Sequence, residues 1–303
     1  MSSRGNRLMS LAGRDFSKST NRDLELQLNK VINERMHGLC FSPYLEHQGP
    51  GDQISEKQIR EKIELIKPYT KWIRIFSCSD GNEAIAEIAH ENGLKTMVGA
   101  WIGKDFAKNE MEIENLISIA QKGFVDIAAV GNEVMLREEQ SEEAMLDYIN
   151  RVKKEIPEIP VGYVDAYYEF CDRPSITDAC DVILANCYPF WEGCSLEHSL
   201  PYMKDMYHRA KTAAKGKKVI ISETGWPNIG TKFHGAVPSR ENAMKYFINS
   251  FKWAEEEDIE IFYFSAFDEA WKIEDEGDVG AYWGLWDKSG SMKYPVESII
   301  KSV

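Results

Sequence analysis

Two glutamates stand out in this 303-residue sequence, each at the end of an apolar run. Glu133 closes Asp126-Ile-Ala-Ala-Val-Gly-Asn-Glu133, and Glu223 closes Val219-Ile-Ile-Ser-Glu223, just before Thr224-Gly225-Trp226-Pro227. A charge at the end of an apolar strand is poorly solvated, so the position is unfavourable unless a site uses it. Two carboxyl groups facing each other are what cleavage of a glycosidic bond requires. One protonates the leaving oxygen while the other attacks the anomeric carbon or activates water. That chemistry needs neither metal nor cofactor, and the sequence signals neither. The same residues could instead be strand-end acids paired with Lys or Arg, because structural ion-pair networks also collect carboxylates.

Bringing two such residues together takes a scaffold, and from His37 onward the chain alternates β-rich runs with helical patterns. The strand candidates are 39–43, 72–76, 94–100, 125–130, 160–164, 182–187, 219–222 and 259–267. They are short and mostly apolar throughout, as strands buried on both faces of a parallel sheet are. Ser55 with Gln58 reads as a helix capping box, followed by Ile59, Ile63 and Ile66 on one face. Asp80 with Glu83 reads as a second box, which gives Asp80 a capping role in preference to a sugar contact. Ile113, Leu116, Ile117 and Ala120 stripe one later helix, and Ala243, Phe247, Phe251 and Ala254 stripe another. Eight β-then-α units over about 265 residues match a single (β/α)₈ TIM barrel, in which catalytic groups sit at the C-terminal strand ends. A doubly wound open sheet would carry a Gly-rich turn after its first strand; here that turn reads Phe41-Ser42-Pro43-Tyr44.

Composition narrows the function classes. Hydrophobic residues make up 43% and charged residues 28%, as in an ordinary globular protein. No apolar run approaches the ~18 residues of a membrane span. A net charge of −13 argues against nucleic acid as a partner. A metal-dependent barrel would need clustered His and carboxylate ligands at strand ends. Of six histidines only His37 lies near a predicted strand, at its starting end. The six cysteines form no C-x-x-C pair and read as reduced thiols, most of them buried.

Residues 1–36 read as an extension ahead of the catalytic domain at 37–303. The first 22 residues hold five basic residues, five serines and one acid. That composition fits a disordered basic tail, with an organelle transit peptide as the alternative. An apolar secretory leader is missing from the pattern, so a cytoplasmic location is the expectation. Leu24, Leu28, Val31 and Ile32 recur at helical spacing and predict an amphipathic helix over 23–35.

Several segments, in order and at barrel spacing, resemble glycoside hydrolase family 17, the β-1,3-glucanases and related glucosyltransferases of the clan A barrels. Val130-Gly-Asn-Glu133 is similar to the family's acid/base segment, and Ser222-Glu-Thr-Gly-Trp-Pro227 to its nucleophile segment. Ala266-Phe-Asp-Glu-Ala-Trp-Lys272 is similar to the last strand of microbial members, with Ala270 where Pro is common. Trp283-Gly-Leu285 follows, with Trp286 replacing Phe. Gly38–Tyr44 and Ile73–Ser77 look like the family's openings, and the resemblance spans residues 38–297.

What the resemblance implies is a β-glucan or oligosaccharide substrate, Glu133 as acid/base and Glu223 as nucleophile. It further implies Asn132 on the sugar 2-hydroxyl, Tyr188 orienting Glu223, and Glu269 with Lys272 gripping hydroxyls beside the reacting sugar. Tyr44 joins the substrate-contacting set. Of Trp191, Trp226, Trp271 and Trp283, all able to offer apolar faces to sugar rings, Trp226 and Trp271 are the expected contacts. Hydrolysis of β-1,3-glucan with retention is the leading activity, and glucanosyl transfer by the same residues is the second. A carbohydrate-binding barrel that has lost catalysis is disfavoured, because both glutamates are present.

Overall fold

The structure, a computed structural model, describes residues 13–294. Eight strands close into one parallel barrel in sequential order, with β8 returning to β1. They are β1 Met36–Cys40, β2 Thr70–Ile75, β3 Lys95–Ala100, β4 Ile127–Asn132, β5 Val161–Ala166, β6 Val182–Asn186, β7 Lys218–Thr224 and β8 Ile261–Tyr263. β4 and β6 are buried along their whole length. A barrel covered by helices hides both faces of each strand, which is why the sequence shows apolar runs instead of alternation.

Strand ends depart from the sequence expectation where it matters. β4 and β7 run on to Asn132 and Thr224, so the site residues begin inside the ladder. β8 covers only three residues of the expected 259–267. Beyond it the chain still bonds the strands on either side, with Phe264 N donating to Thr224 O of β7 at 2.8 Å, and it also pairs with the segment 283–286. Ala266 N donates to Cys40 O at 2.9 Å, and Asp268 N donates to Trp286 O at 2.9 Å.

The main helices are α1 Asn21–Asn33, α2 Glu56–Ile66, α3 Ile85–Glu91, α4 Phe106–Gln121 and α5 Glu142–Glu155. After the short α6 Glu169–Asp172 and α7 Pro174–Ala179 come α8 Leu196–Ala213 and α9 Arg240–Glu256. Ser55, Asp105, Ser141 and Ser239 each accept a bond from the amide three residues on, satisfying a donor the helix leaves open. The Ser55 box is only half formed. The Gln58 amide donates instead to Pro43 O and to Gln48 Oε1, both at 2.6 Å, and so ties α2 to the loop after β1. Asp80 caps nothing: the short helix after it starts beyond Gly81, and Glu83 accepts from Gly81 N at 2.9 Å. No helix among the described residues is long and apolar enough to cross a membrane. All six cysteines are free; Cys40, Cys78, Cys180 and Cys187 are buried, and burial pushes the Cys180 thiol up to about 12.

The expected amphipathic helix is α1, with Leu24, Leu28, Val31 and Ile32 buried. Thr20 and Asp23 form a reciprocal capping box at its start. It packs against α9 and β1 and is pinned by Arg240–Glu25 at 2.9 Å and Lys252–Glu34 at 3.6 Å. A helix touching both elements covers the β8–β1 seam, where the helix of an eighth β-then-α unit was expected. Among the described residues that follow β8, only short turns at Ala270–Lys272, Ile273–Glu276 and Gly277–Val279 are helical. The segment ahead of the barrel is thus part of its outer layer. Residues 1–12 of the basic tail lie outside the described residues.

Leu28 is 0% exposed in that contact. Leu28→Ala should lower unfolding free energy by about 2–5 kcal/mol in urea titrations, the cost of a core cavity. A loss within ~0.5 kcal/mol, the range of surface substitutions, would mean that α1 is an appendage.

Candidate active site

The C-terminal ends of β2, β4, β6 and β7 face a cleft of ≈ 910 Å³. Glu223 projects into it from β7, buried, and three side chains donate to its carboxylate. Arg74 Nη1 reaches Oε1 at 2.5 Å, Asn186 Nδ2 reaches the same oxygen at 3.2 Å, and Tyr188 Oη reaches Oε2 at 2.7 Å. The Tyr188 hydroxyl thus lies on Glu223, the contact expected from the sequence.

Glu133 arrives by a different route. The β4–β5 register shifts between Ala129 and Asn132, and Gly131 sits at φ +80°. A Cβ there would come within 2.9 Å of Val134 Cγ2, so the turn needs glycine. Glu133 follows at φ +52°, a left-handed conformation that is strained for a residue with a side chain. Its amide donates to Val164 O at 2.8 Å, and its Oε1 accepts from Asn186 Nδ2 at 2.8 Å. One amide nitrogen thus contacts both carboxylates. The two bonded oxygens cannot lie farther apart than those two distances laid end to end.

The two acids are treated differently. Burial, then the negative charge of Glu223, pushes the Glu133 carboxyl up to about 7, against the opposing bond from Asn186. Glu223 has a guanidinium against it; Glu133 has none within bonding distance among the described residues. Asn132 Oδ1 accepts from Arg74 Nη2 at 2.7 Å, which orients the NH₂ of that side chain as its remaining polar edge.

Glu269 and Lys272 come together in the cleft with Nζ 4.0 Å from the carboxylate. Burial raises the Glu269 carboxyl above its usual range despite Lys272, and its Oε1 has no hydrogen-bond partner. Burial also works against the Lys272 charge, but Glu276 at 2.9 Å and Glu269 more than offset it and hold the ammonium above its ordinary range. Tyr44 and Trp271 both line the cleft, ring edge to face at 6.3 Å. Trp191 and Trp283 line it too.

Trp226 does not. It is 1% exposed, packs on Phe190 and Tyr246, and donates its indole N–H to Val237 O at 3.0 Å. The expectation of a sugar contact there is corrected. Trp226 lies three residues past Glu223, beyond the end of β7, and turns into the packing behind the cleft wall. Asp80, assigned to capping, lines the cleft with Lys108 at 3.7 Å.

A family model described as the BtgE/BtgC glycoside hydrolase domain matches residues 38–284. The chain belongs to this family. It is 28% identical over 261 residues to glucan 1,3-beta-glucosidase BGL2 of Candida albicans, covering 78% of this chain and 84% of that one. It is 25% identical over 268 residues to the glucan 1,3-beta-glucosidase of Saccharomyces cerevisiae, covering 80% and 86%. Among solved structures it is similar to the glycoside hydrolase family 17 beta-1,3-glucanosyltransferase of Rhizomucor miehei. There the TM-score is 0.77 at 28% identity, over 86% of this chain and 96% of that one.

Two polar residues central to this glycoside hydrolase domain are not among the residues singled out from sequence, Arg74 and Asn186. Both left a signal. Arg74 is the one charge inside the apolar run Trp72–Phe76, and Asn186 is the polar residue within Val182–Cys187. A buried polar group needs a partner, and each of these side chains finds carboxylates.

Tyr188→Phe keeps the ring against Phe264 and Trp283 but removes one donor from Glu223. Its turnover of an activated aryl glycoside should fall roughly 10–100-fold with little change in Tm, matching the ~1.5–3 kcal/mol of a hydrogen bond to a charge. Trp226→Phe should do the reverse, lowering Tm with kinetics nearly intact. Interchanged results would move Trp226 into the site and Tyr188 out of it.

Proposed function

We propose that the protein is a retaining β-glycosidase acting on β-1,3-glucan or laminari-oligosaccharides through a covalent glycosyl-enzyme. Glu223 is the nucleophile, and Glu133 is the general acid and then the general base. The observation that carries this reading is the single Asn186 nitrogen bonded to both carboxylates. The bound this sets on the two bonded oxygens falls short of the ~6.5–9.5 Å that inverting sites keep open for an inserted water. It suits the ~5–5.5 Å of a retaining pair.

The roles follow from the environments. Glu223, neutralised and aimed by Arg74, Tyr188 and Asn186, attacks the anomeric carbon. Glu133, with Oε1 engaged by Asn186, carries its proton on the other oxygen and delivers it to the leaving glycosidic oxygen. Water activated by the deprotonated Glu133 then releases the sugar. Asn132 donates to the 2-hydroxyl, a contact that strengthens as oxocarbenium character develops. Glu269, with a buried oxygen lacking a partner, accepts from a substrate hydroxyl. The glucan specificity is supported by the likeness to the glucan 1,3-beta-glucosidases of Candida albicans and Saccharomyces cerevisiae.

Transfer to a sugar acceptor is the second reading, favoured by the likeness to the Rhizomucor miehei glucanosyltransferase. It uses the same intermediate and differs only in what Glu133 activates. Mass spectrometry of laminari-oligosaccharide digests separates the two. Hydrolysis predicts shorter products with reducing-end release at dilute substrate, whereas products longer than the substrate there would assign the enzyme to transfer.

Retention is tested directly: the first-formed product should give a β-anomeric proton signal by time-resolved NMR, and an initial α product would overturn the mechanism. Glu133→Ala should keep activity on aryl glycosides with good leaving groups and be accelerated by azide, while Glu223→Ala should lose the covalent step whatever the leaving group. Because Glu133 must be protonated to act as acid, kcat/KM on glucan should be full below its pKa and fall as pH rises through about 7.

A further inference from the structure

A second buried carboxylate lies beneath the turn that carries Glu133. Asp165, near the end of β5, is 0% exposed. Its donors are all neutral: the Tyr163 hydroxyl, Met135 N at 3.2 Å, Leu136 N at 3.4 Å and Ala166 N at 2.7 Å. Tyr163 Oη itself accepts from Met135 N at 2.8 Å. A buried carboxylate held only by neutral donors is a costly choice for packing alone, since a buried charge is ordinarily paired.

The charges around it are otherwise spoken for. Glu133 is faced by Glu223 from β7, Tyr188 from beyond β6, Tyr168 from beyond β5 and Arg137 from its own turn. Asp165 is faced by Tyr163, Tyr168 and Glu169. Arg74 covers Glu223 at 2.5 Å, Glu139 occupies Arg137 at 2.8 Å, and Arg173 covers Glu169 at 2.7 Å. No described cation neutralises the charge of Asp165 at bonding distance.

We infer that Asp165 is a positioning residue for Glu133: it clamps the amides of Met135 and Leu136 to fix the left-handed turn, and its negative charge keeps the acid protonated. The inference rests on Glu133 being the acid/base. Its sign is set by the hydrogen bonds that Asp165 accepts: four donors face its carboxylate and favour the ionised form, while burial works against it. A fixed negative neighbour disfavours a second one. Removing it lets Glu133 lose its proton at lower pH.

The test compares pH profiles of kcat/KM for wild type, Glu133→Gln, Asp165→Asn and Tyr163→Phe, on laminari-oligosaccharide and on an aryl glycoside with a good leaving group. Asp165→Asn should move the alkaline limb on oligosaccharide down by about half a unit. Its loss of turnover should be much smaller on the aryl substrate, which needs little protonation. Tyr163→Phe preserves the ring and withdraws the donor that favours ionised Asp165, so the limb should shift in the same direction by less. It carries the test if Asp165→Asn does not fold. Oligosaccharide turnover that is lost in Glu133→Gln with aryl turnover kept, while the limb stays in place in both other variants, would overturn the inference alone. Oligosaccharide turnover that persists in Glu133→Gln with its alkaline limb would instead overturn the reading of Glu133 on which it rests.

Discussion

Arg74 is the group around which the mouth of this barrel is organised. It is 2% exposed, its two terminal nitrogens reach Glu223 and Asn132, and the guanidinium lies 4.3 Å from the centre of the Phe76 ring. Taking an arginine and a carboxylate out of water costs several kcal/mol per ion, and their attraction repays it only when geometry is good and remaining donors and acceptors are met. The parallel register provides that geometry. Arg74 lies opposite Cys40 and Met97 in the ladder, and Asn186 lies opposite Glu223. The polar ends of β2, β4, β6 and β7 are thereby stacked around one small volume. An apolar replacement of the whole cluster would be easier to fold, so the arrangement makes sense as chemistry more than as stability.

From that guanidinium follows the inequality between the two glutamates. Glu223 receives the cation and two further donors; Glu133 receives a share of one amide and the repulsion of its neighbour. Two like groups pushed apart by unlike surroundings are how one site holds an acid and a nucleophile at the same pH. The backbone takes part in this. Glu223 lies within β7, between register shifts of its own, whereas Glu133 lies past the end of β4 and needs in addition the left-handed Gly131 and its own positive φ. Strain of that kind persists only where surrounding contacts over-determine it. The amide bond to Val164 O and the Asp165 clamp on the next residues are such contacts.

The barrel was legible because its physics is repetitive. Doubly buried parallel strands write themselves as apolar runs, and Glu133 and Glu223 could be seen closing two of them. The α1 helix was equally plain in Leu24, Leu28, Val31 and Ile32. What it covers was not, because helical spacing says which face is buried and nothing about its partner. β8 is shorter than its apolar run because Phe264–Ala266 divide their backbone bonds between β7, β1 and the segment 283–286. The tryptophans show the same limit from the other side. Trp226 and Trp271 are equally aromatic and lie three and two residues past an acidic site residue, and only the path of the chain after β7 and after β8 decides which ring turns inward. Arg74 and Asn186 needed a different question, namely what a polar residue in an apolar strand could be paired with.

On the proposed mechanism the arrangement also explains how Glu133 changes role between the two steps. Attack by Glu223 converts its carboxylate into a neutral ester, so the charge that helped raise Glu133 disappears. The Asn186 amide, until then divided between both acids, loses one charged acceptor and can bond Glu133 more fully. Both changes favour ionised Glu133 at the moment when it must take a proton from water or from an acceptor hydroxyl. Asp165 is untouched by the transfer and continues to oppose ionisation, which keeps the conjugate base from becoming too weak for that task. The charge of one glutamate thus sets the protonation of the other in each half of the cycle, and both halves depend on Arg74 holding Glu223 where a single amide can reach the two.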